Sequence, residues 1–180
     1  MDYKNIIMEM LNNIEKTNFK GWDVFDGLNS KLLQKSSLDK FRLCRLIWIQ
    51  FFKRSPLNFR KITFVPKDYN SKGLALFIQG LLKLYQVENE KKYLQKAYKL
   101  AKIIISQRAK NRNYFSIGYN FFWEARAFSV PKFTPNIIVS SFVGEAFLDL
   151  YEIDQNLNWL NYAEEIGNFL DITFFGKGNF

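Results

Sequence analysis

The sequence predicts an all-α fold built from paired helices, and three observations point to it. Apolar residues fall in helical register over 3–16, 38–53, 73–88, 91–107, 137–152 and 157–172. No comparable run of alternating residues competes as strand. One helical hairpin is also used twice: Leu82-Lys83-Leu84-Tyr85-Gln86-Val87 recurs as Leu148-Asp149-Leu150-Tyr151-Glu152-Ile153, after which Tyr93 falls on Trp159, Ala97 on Ala163, Leu100 on Ile166 and Ile104 on Leu170. With 180 residues, 48% of them hydrophobic and 18% aromatic, the chain has the material for one core, so residues 1–180 read as a single domain.

Helix 3–16 interleaves Ile6, Ile7, Met10, Leu11 and Ile14 with Glu9, Asn12, Asn13 and Glu15, the pattern of a surface helix. In helix 38–53, Cys44 sits between Leu43 and Leu46 as a packing residue. Helix 73–88 is apolar nearly all round apart from the stripe Gln79, Lys83, Gln86, so it reads as an inner helix covered on most sides. Helix 91–107 carries Tyr93, Leu94, Ala97, Leu100, Ala101 and Ile104 on one face and Lys92, Gln95, Lys96, Lys99 and Lys102 on the other, and reads as an outer helix. The second copy repeats the contrast: 137–152 is inner and 157–172 is outer. Tyr85 and Tyr151, equivalent in the repeat, read as packing residues. Ser140, Ser141 and Gly144 are small enough to let neighbouring inner helices approach.

Long loops feed both inner helices and end alike, Val65-Pro66-Lys67 before one and Val130-Pro131-Lys132 before the other. Asn70-Ser71 and Thr134-Pro135-Asn136 then supply capping residues. These loops also hold the charge. Residues 53–72 carry Lys53, Arg54, Arg60, Lys61, Lys67 and Lys72 against Asp68 alone. Residues 106–136 carry Arg108, Lys110, Arg112, Arg126 and Lys132 against Glu124 alone. Together they account for the whole formal excess of +9. A field of that sign attracts anions, and its arginines bind carboxylate or phosphate through two donors at once.

The composition excludes as much as it suggests. With no His and one Cys, His-based triads, His proton shuttles and Cys/His metal sites are out of reach, so any catalysis must use carboxylates, Tyr, Lys or Arg. No glycine-rich phosphate loop, dinucleotide fingerprint or metal-ligand spacing occurs, so no cofactor and no metal is expected. A secretory leader and a membrane-spanning run are not found in the sequence, which predicts a cytoplasmic protein. A sequence pI of about 9.5 is the one feature favouring nucleic acid, and nucleic acid is not expected as a partner.

The alternation of inner and outer helices resembles the six-hairpin glycosidase-like (α/α)6 toroids. More narrowly, Gly21-Trp22-Asp23-Val24-Phe25-Asp26-Gly27-Leu28-Asn29-Ser30, then Pro56-Leu57-Asn58-Phe59-Arg60, Pro66-Lys67, Asn70, Lys72-Gly73-Leu74-Ala75, Trp123, Arg126-Ala127 and Pro131-Lys132-Phe133-Thr134-Pro135-Asn136 look like an uncharacterised bacterial and archaeal family associated with surface-polysaccharide biosynthesis. That family is similar in fold to unsaturated glucuronyl hydrolases and sugar 2-epimerases. The resemblance implies a carbohydrate-active protein taking an anionic sugar or glycan intermediate. It also implies a ring of six hairpins, of which this chain supplies about the N-terminal half. The last residues, Phe174 to Phe180, read as an interruption inside the next loop. Half a ring leaves inner-helix edges uncovered, so self-association or pairing with a missing half is expected. The alternative is a non-catalytic helical-repeat module that binds a protein partner.

Sugar chemistry commonly uses two carboxylates. Asp23 and Asp26 form the tightest pair in a loop, and Glu124, between Trp123 and Arg126, is the strongest single candidate because an aromatic wall raises a carboxyl pKa while Arg126 opposes the rise. Trp123, with Tyr119, Phe121 and Phe122, offers a stacking wall for a sugar ring. Asn58, Arg60, Trp123, Arg126 and Asn136 are the expected substrate-binding residues, with Arg60 and Arg126 orienting the anion from loops that meet at one end.

Overall fold

A computed structural model describes residues 3–110 and 113–174. Arg112 of the second basic loop and the terminal run 175–180 lie outside the described residues. The described residues are mostly helical with almost no strand, consistent with the expected all-α class, and the chain divides into two compact units. One comprises residues up to Asn70 together with Phe121–Pro131, and the other comprises Ser71–Asn120 and the chain from Lys132 onward.

In the first unit, α1 spans Tyr3–Lys16, α2 Lys31–Lys35 and α3 Arg42–Arg54. Helix α1 exposes most of its apolar face, including Ile6, Ile7 and Met10, and buries Leu11. The expected helix 38–53 divides into a single 3-10 turn at Leu38–Lys40 and α3, with Phe41 extended between them at φ −94° and ψ 120°. The break follows from Arg45, whose Nη1 donates to the carbonyls of Asp39 (2.8 Å) and Lys40 (3.3 Å) and so satisfies the turn's open end. Five-residue α2 is too short for periodicity to mark. Its signal is Ser30, whose Oγ accepts from Leu33 N and donates to the carbonyl of Thr63. Leu28, Leu33 and Ile49 form the core, with Phe25, Trp48 and Phe122 packed on it.

The loop 121–131 adds the sole sheet among the described residues, a two-stranded antiparallel ribbon of β1 (Trp123–Glu124) and β2 (Ser129–Val130), with Trp123 opposite Val130 and Glu124 opposite Ser129.

The second unit holds the two hairpins, α4 (Ser71–Glu88) with α5 (Lys91–Ser106) and α6 (Ile137–Asp154) with α7 (Leu157–Phe174). Helix α4 packs against both α5 and α6. The sequence repeat is visible in the backbone. Asn89 and Gln155, equivalent positions, both adopt the left-handed conformation just beyond their helices, at φ 54° and 56°. Their N–H groups donate to the equivalent carbonyls of Tyr85 and Tyr151, at 2.9 and 2.8 Å. Tyr93 N and Trp159 N then close matching turns on the carbonyls of Glu90 and Asn156.

Burial agrees with the division of labour for α5, where Tyr93, Ala97, Leu100, Ala101 and Ile104 are all buried. The inner helices depart from expectation. Leu74, Ala75, Ile78, Leu81 and Leu82 of α4 and Val139, Val143, Ala146, Phe147 and Leu150 of α6 are buried, yet Leu76, Val87, Ile138 and Leu148 lie open. The small residues of α6 also serve differently from expectation. A Cβ on Gly144 would sit 3.3 Å from Ile166 of the partner helix α7, and Ser140 Oγ bonds the backbone of Ile117 at 3.2 Å through both its N–H and its carbonyl.

One polar clamp ties the hairpins together. Asp154 Oδ2 accepts from Tyr98 Oη (2.7 Å) and Trp159 Nε1 (3.1 Å), with the two rings stacked 6.0 Å apart. Burial, aided by Asp154, pushes the Tyr98 phenol up. Among the described residues no helix is long and apolar enough to cross a membrane.

Candidate functional site

The first unit builds its polar centre by pinning two loops together. Gly21 and Asp68 exchange both backbone hydrogen bonds, at 3.1 and 3.0 Å, and Trp22 Nε1 donates to the carbonyl of Val65 at 2.9 Å. The run from Gly21 to Ser30 is thereby held against residues 60–70, which places Asp23 and Asp26 beside Arg60 and Asn70.

Asp26 is buried. Its Oδ1 accepts from Arg60 Nε at 2.7 Å and its Oδ2 from the Asp23 N–H at 2.9 Å. Arg60 also donates through Nη2 to the carbonyl of Asp23 at 2.7 Å. Half-buried Asp23 accepts from the N–H of Phe25 at 3.0 Å and from Asn70 Nδ2 at 2.9 Å. Burial pushes the Asp26 carboxyl above the ordinary aspartate value of 3.8, and the hydrogen bonds from Arg60 and Asp23 N–H offset only part of this. Asp26 therefore keeps its proton to higher pH in the folded chain than in the unfolded one. Its contribution to stability is present at low pH and declines as pH rises from the ordinary value through the raised one.

Glu124 lies in a second cluster of the same unit. Its Oε1 accepts from Arg42 Nε (3.2 Å) and Ser129 Oγ (2.5 Å), and its Oε2 accepts from Arg45 Nε (2.7 Å). Of the two opposing influences expected on its pKa, the lowering one prevails, and Arg126 is not its source. Burial raises it, but Ser129, Arg45 and Arg42 outweigh burial and hold the carboxyl below the ordinary value of 4.5. The arginines that hold it are Arg42 and Arg45. Arg126 is exposed and meets the cluster through its backbone carbonyl, which accepts from Arg42 Nη2 at 2.5 Å.

Of the remaining expected residues, Trp123 packs against Phe25 at 5.8 Å and Phe128 at 5.1 Å, so Phe25 connects the ribbon to the Asp23–Asp26 loop. Asn58 is exposed and its Oδ1 accepts from the N–H of Arg60, shaping the turn that delivers that arginine. Asn136 belongs to the second unit, where it caps α6 by accepting from Val139 N at 3.2 Å. Seven of the eight expected residues thus share the first unit, and Asn136 does not. The expected aromatic wall divides likewise: Phe121, Phe122 and Trp123 belong to the first unit and Tyr119 to the second.

Three of the loop cations lie over aromatic rings. Lys53 lies over the Phe25 ring, Lys67 over Trp22 and Lys72 over Phe142, each within 5.2 Å of the centroid. Sequence reasoning missed Arg42 and Arg45 as partners of Glu124. Their spacing on one face of α3 was the available signal. Among the described residues no group of three His, Cys, Asp or Glu side chains is placed to hold a metal ion. No family model, curated protein or solved structure matches the chain.

Proposed function

We propose that this chain is a carbohydrate-active protein of the α/α-toroid class, taking an anionic sugar or glycan intermediate of polysaccharide metabolism in the cytoplasm. The observation that carries this reading is the Asp23–Asp26 loop: a buried carboxyl with a raised pKa, three residues from a half-buried second carboxylate. A proton donor to a glycosidic oxygen must keep its proton near working pH, and a raised carboxyl is how enzymes arrange this. In this reading Asp26 is the acid, Asp23 is the second carboxylate, and exposed Arg126 with Trp123 receives the anionic ring. Arg60 positions Asp26, and Glu124 anchors the ribbon that carries Trp123 and Arg126.

The test is an array of acidic and neutral glycans. Retention of acidic members is expected, weakened about tenfold by Arg126→Ala, in line with the loss of a charge-assisted contact. Unchanged binding of every acidic glycan by both Arg126→Ala and Asp23→Asn would refute the assignment.

Exposure of the large apolar residues Leu76, Val87, Ile138 and Leu148 supports self-association through the inner helices. Light scattering should give a mass above one chain that falls to one chain in Leu148→Lys. A parent already at the mass of one chain at high concentration opposes it.

A further inference from the structure

The second unit contains a cavity that the Asp23–Asp26 reading does not use. It measures about 580 Å³ and is lined by Ser106–Lys110 at the end of α5 and by Lys132, Phe133, Thr134 and Pro135 before α6. That volume lies within the range of about 300–1,000 Å³ usual for small-molecule sites.

Its lining carries three cations, Arg108, Lys110 and Lys132, and no acid. Arg108 is fixed in place: its Nη2 donates to Glu165 at 2.7 Å and its guanidinium lies 5.2 Å from the centre of the Phe115 ring. Lys110 and Lys132 are exposed. Glu165 and the carbonyl end of α5 oppose an anion here. The helix end contributes about half a unit of negative charge, against three cations on the lining.

Phe133 supplies the second element. Its backbone is left-handed at φ 60°, a conformation that a non-glycine residue keeps only where the surroundings impose it. The surroundings here are explicit. Phe133 N donates to the carbonyl of Tyr119 at 2.7 Å, and Asn136 N donates to that of Ile117 at 2.9 Å. Gly118 between them approaches Thr134 so closely that a Cβ would overlap the Thr134 carbonyl. The Phe133 ring is left 43% exposed.

We propose that this cavity binds a small ring compound bearing an oxyanion, a sugar acid or a sugar phosphate, with the ring face on Phe133 and the oxyanion on Lys110, Lys132 and Arg108. The site shares no residue with the Asp23–Asp26 assignment, and the choice of a sugar as its ring compound rests on the proposed function.

Calorimetric titration of the full chain with glucuronate, glucose 6-phosphate, glucose and inorganic phosphate tests it. At least one charged sugar should bind and glucose should not. Glucuronate alone identifies a carboxylate ligand, and glucose 6-phosphate alone a phosphate one. The double variant Lys110→Ala/Lys132→Ala should weaken that binding by about tenfold or more, while Lys83→Ala/Lys102→Ala, which removes equal charge outside the cavity, leaves it unchanged. Phe133→Gly suits the left-handed backbone, so it should weaken binding while the chain still melts as cooperatively as the parent. The proposal is overturned if neither charged sugar binds, if glucose binds equally, if inorganic phosphate matches glucose 6-phosphate, or if the Lys110/Lys132 variant binds like the parent.

Discussion

Glu124→Ala is expected to destabilise the first unit by about 3 kcal/mol, because removing one member of a buried ion cluster leaves the others desolvated and unpaired. The side chain of Glu124 is fully buried, and that of Arg45 is only 18% exposed. Arg42, at 51% exposure, recovers water on losing its partner and should matter less. Glu124→Gln keeps the shape and removes the charge, so it should fall between parent and Glu124→Ala in chemical denaturation. The acid dependence follows from the lowered carboxyl pKa. A depressed folded value stabilises above the unfolded value and is lost as pH falls through the folded one, so the parent should weaken in acid more than Glu124→Gln does. Equal denaturation midpoints for parent and Glu124→Ala at neutral pH would show that Ser129, Arg42 and Arg45 do not depend on this carboxylate.

Gly118→Ala should be at least as damaging to the second unit. A Cβ there overlaps the carbonyl of Thr134 and meets the backbone of Phe133, so no side-chain rotation relieves it. The loop must move, and with it the hydrogen bonds Phe133 N to Tyr119 O and Asn136 N to Ile117 O, which seat the start of α6. Overpacking against backbone with loss of these bonds is expected to cost about 3 kcal/mol. Gly80, where a Cβ meets nothing within 4 Å, is the control. Gly80→Ala on α4 should be neutral or slightly stabilising through helix propensity. Thermal melts of the two alanine variants check both statements, and coincident melts would contradict the tight approach at Gly118.

Much of the hairpin architecture was legible because helical burial repeats every turn and the repeat doubles the signal. Asn89 and Gln155 show this well: neither is a glycine, yet both take the left-handed conformation at equivalent positions. What escaped the sequence was long-range. The ribbon Trp123–Glu124 with Ser129–Val130 is two residues per strand, below any detectable alternation. The break at Phe41 depends on where Arg45 reaches, and the partners of Glu124 come from α3, about eighty positions earlier in the chain. Local sequence placed Arg126 beside Glu124, whereas folding brought Arg42 and Arg45. The openness of Leu76 and Leu148 was hidden for a related reason. An all-round apolar helix signals that cover is needed, without stating which chain provides it.

The sugar chemistry proposed for this chain rests on Asp26 releasing its proton at higher pH than an ordinary aspartate does. Following the Asp26 side-chain carboxyl by carbon NMR across an acid titration tests this directly, with Asp26→Asn identifying the resonance. The account predicts a midpoint above 3.8. A midpoint at or below that value would mean that Arg60 dominates over burial, and that Asp26 is half of a structural ion pair with no proton to give.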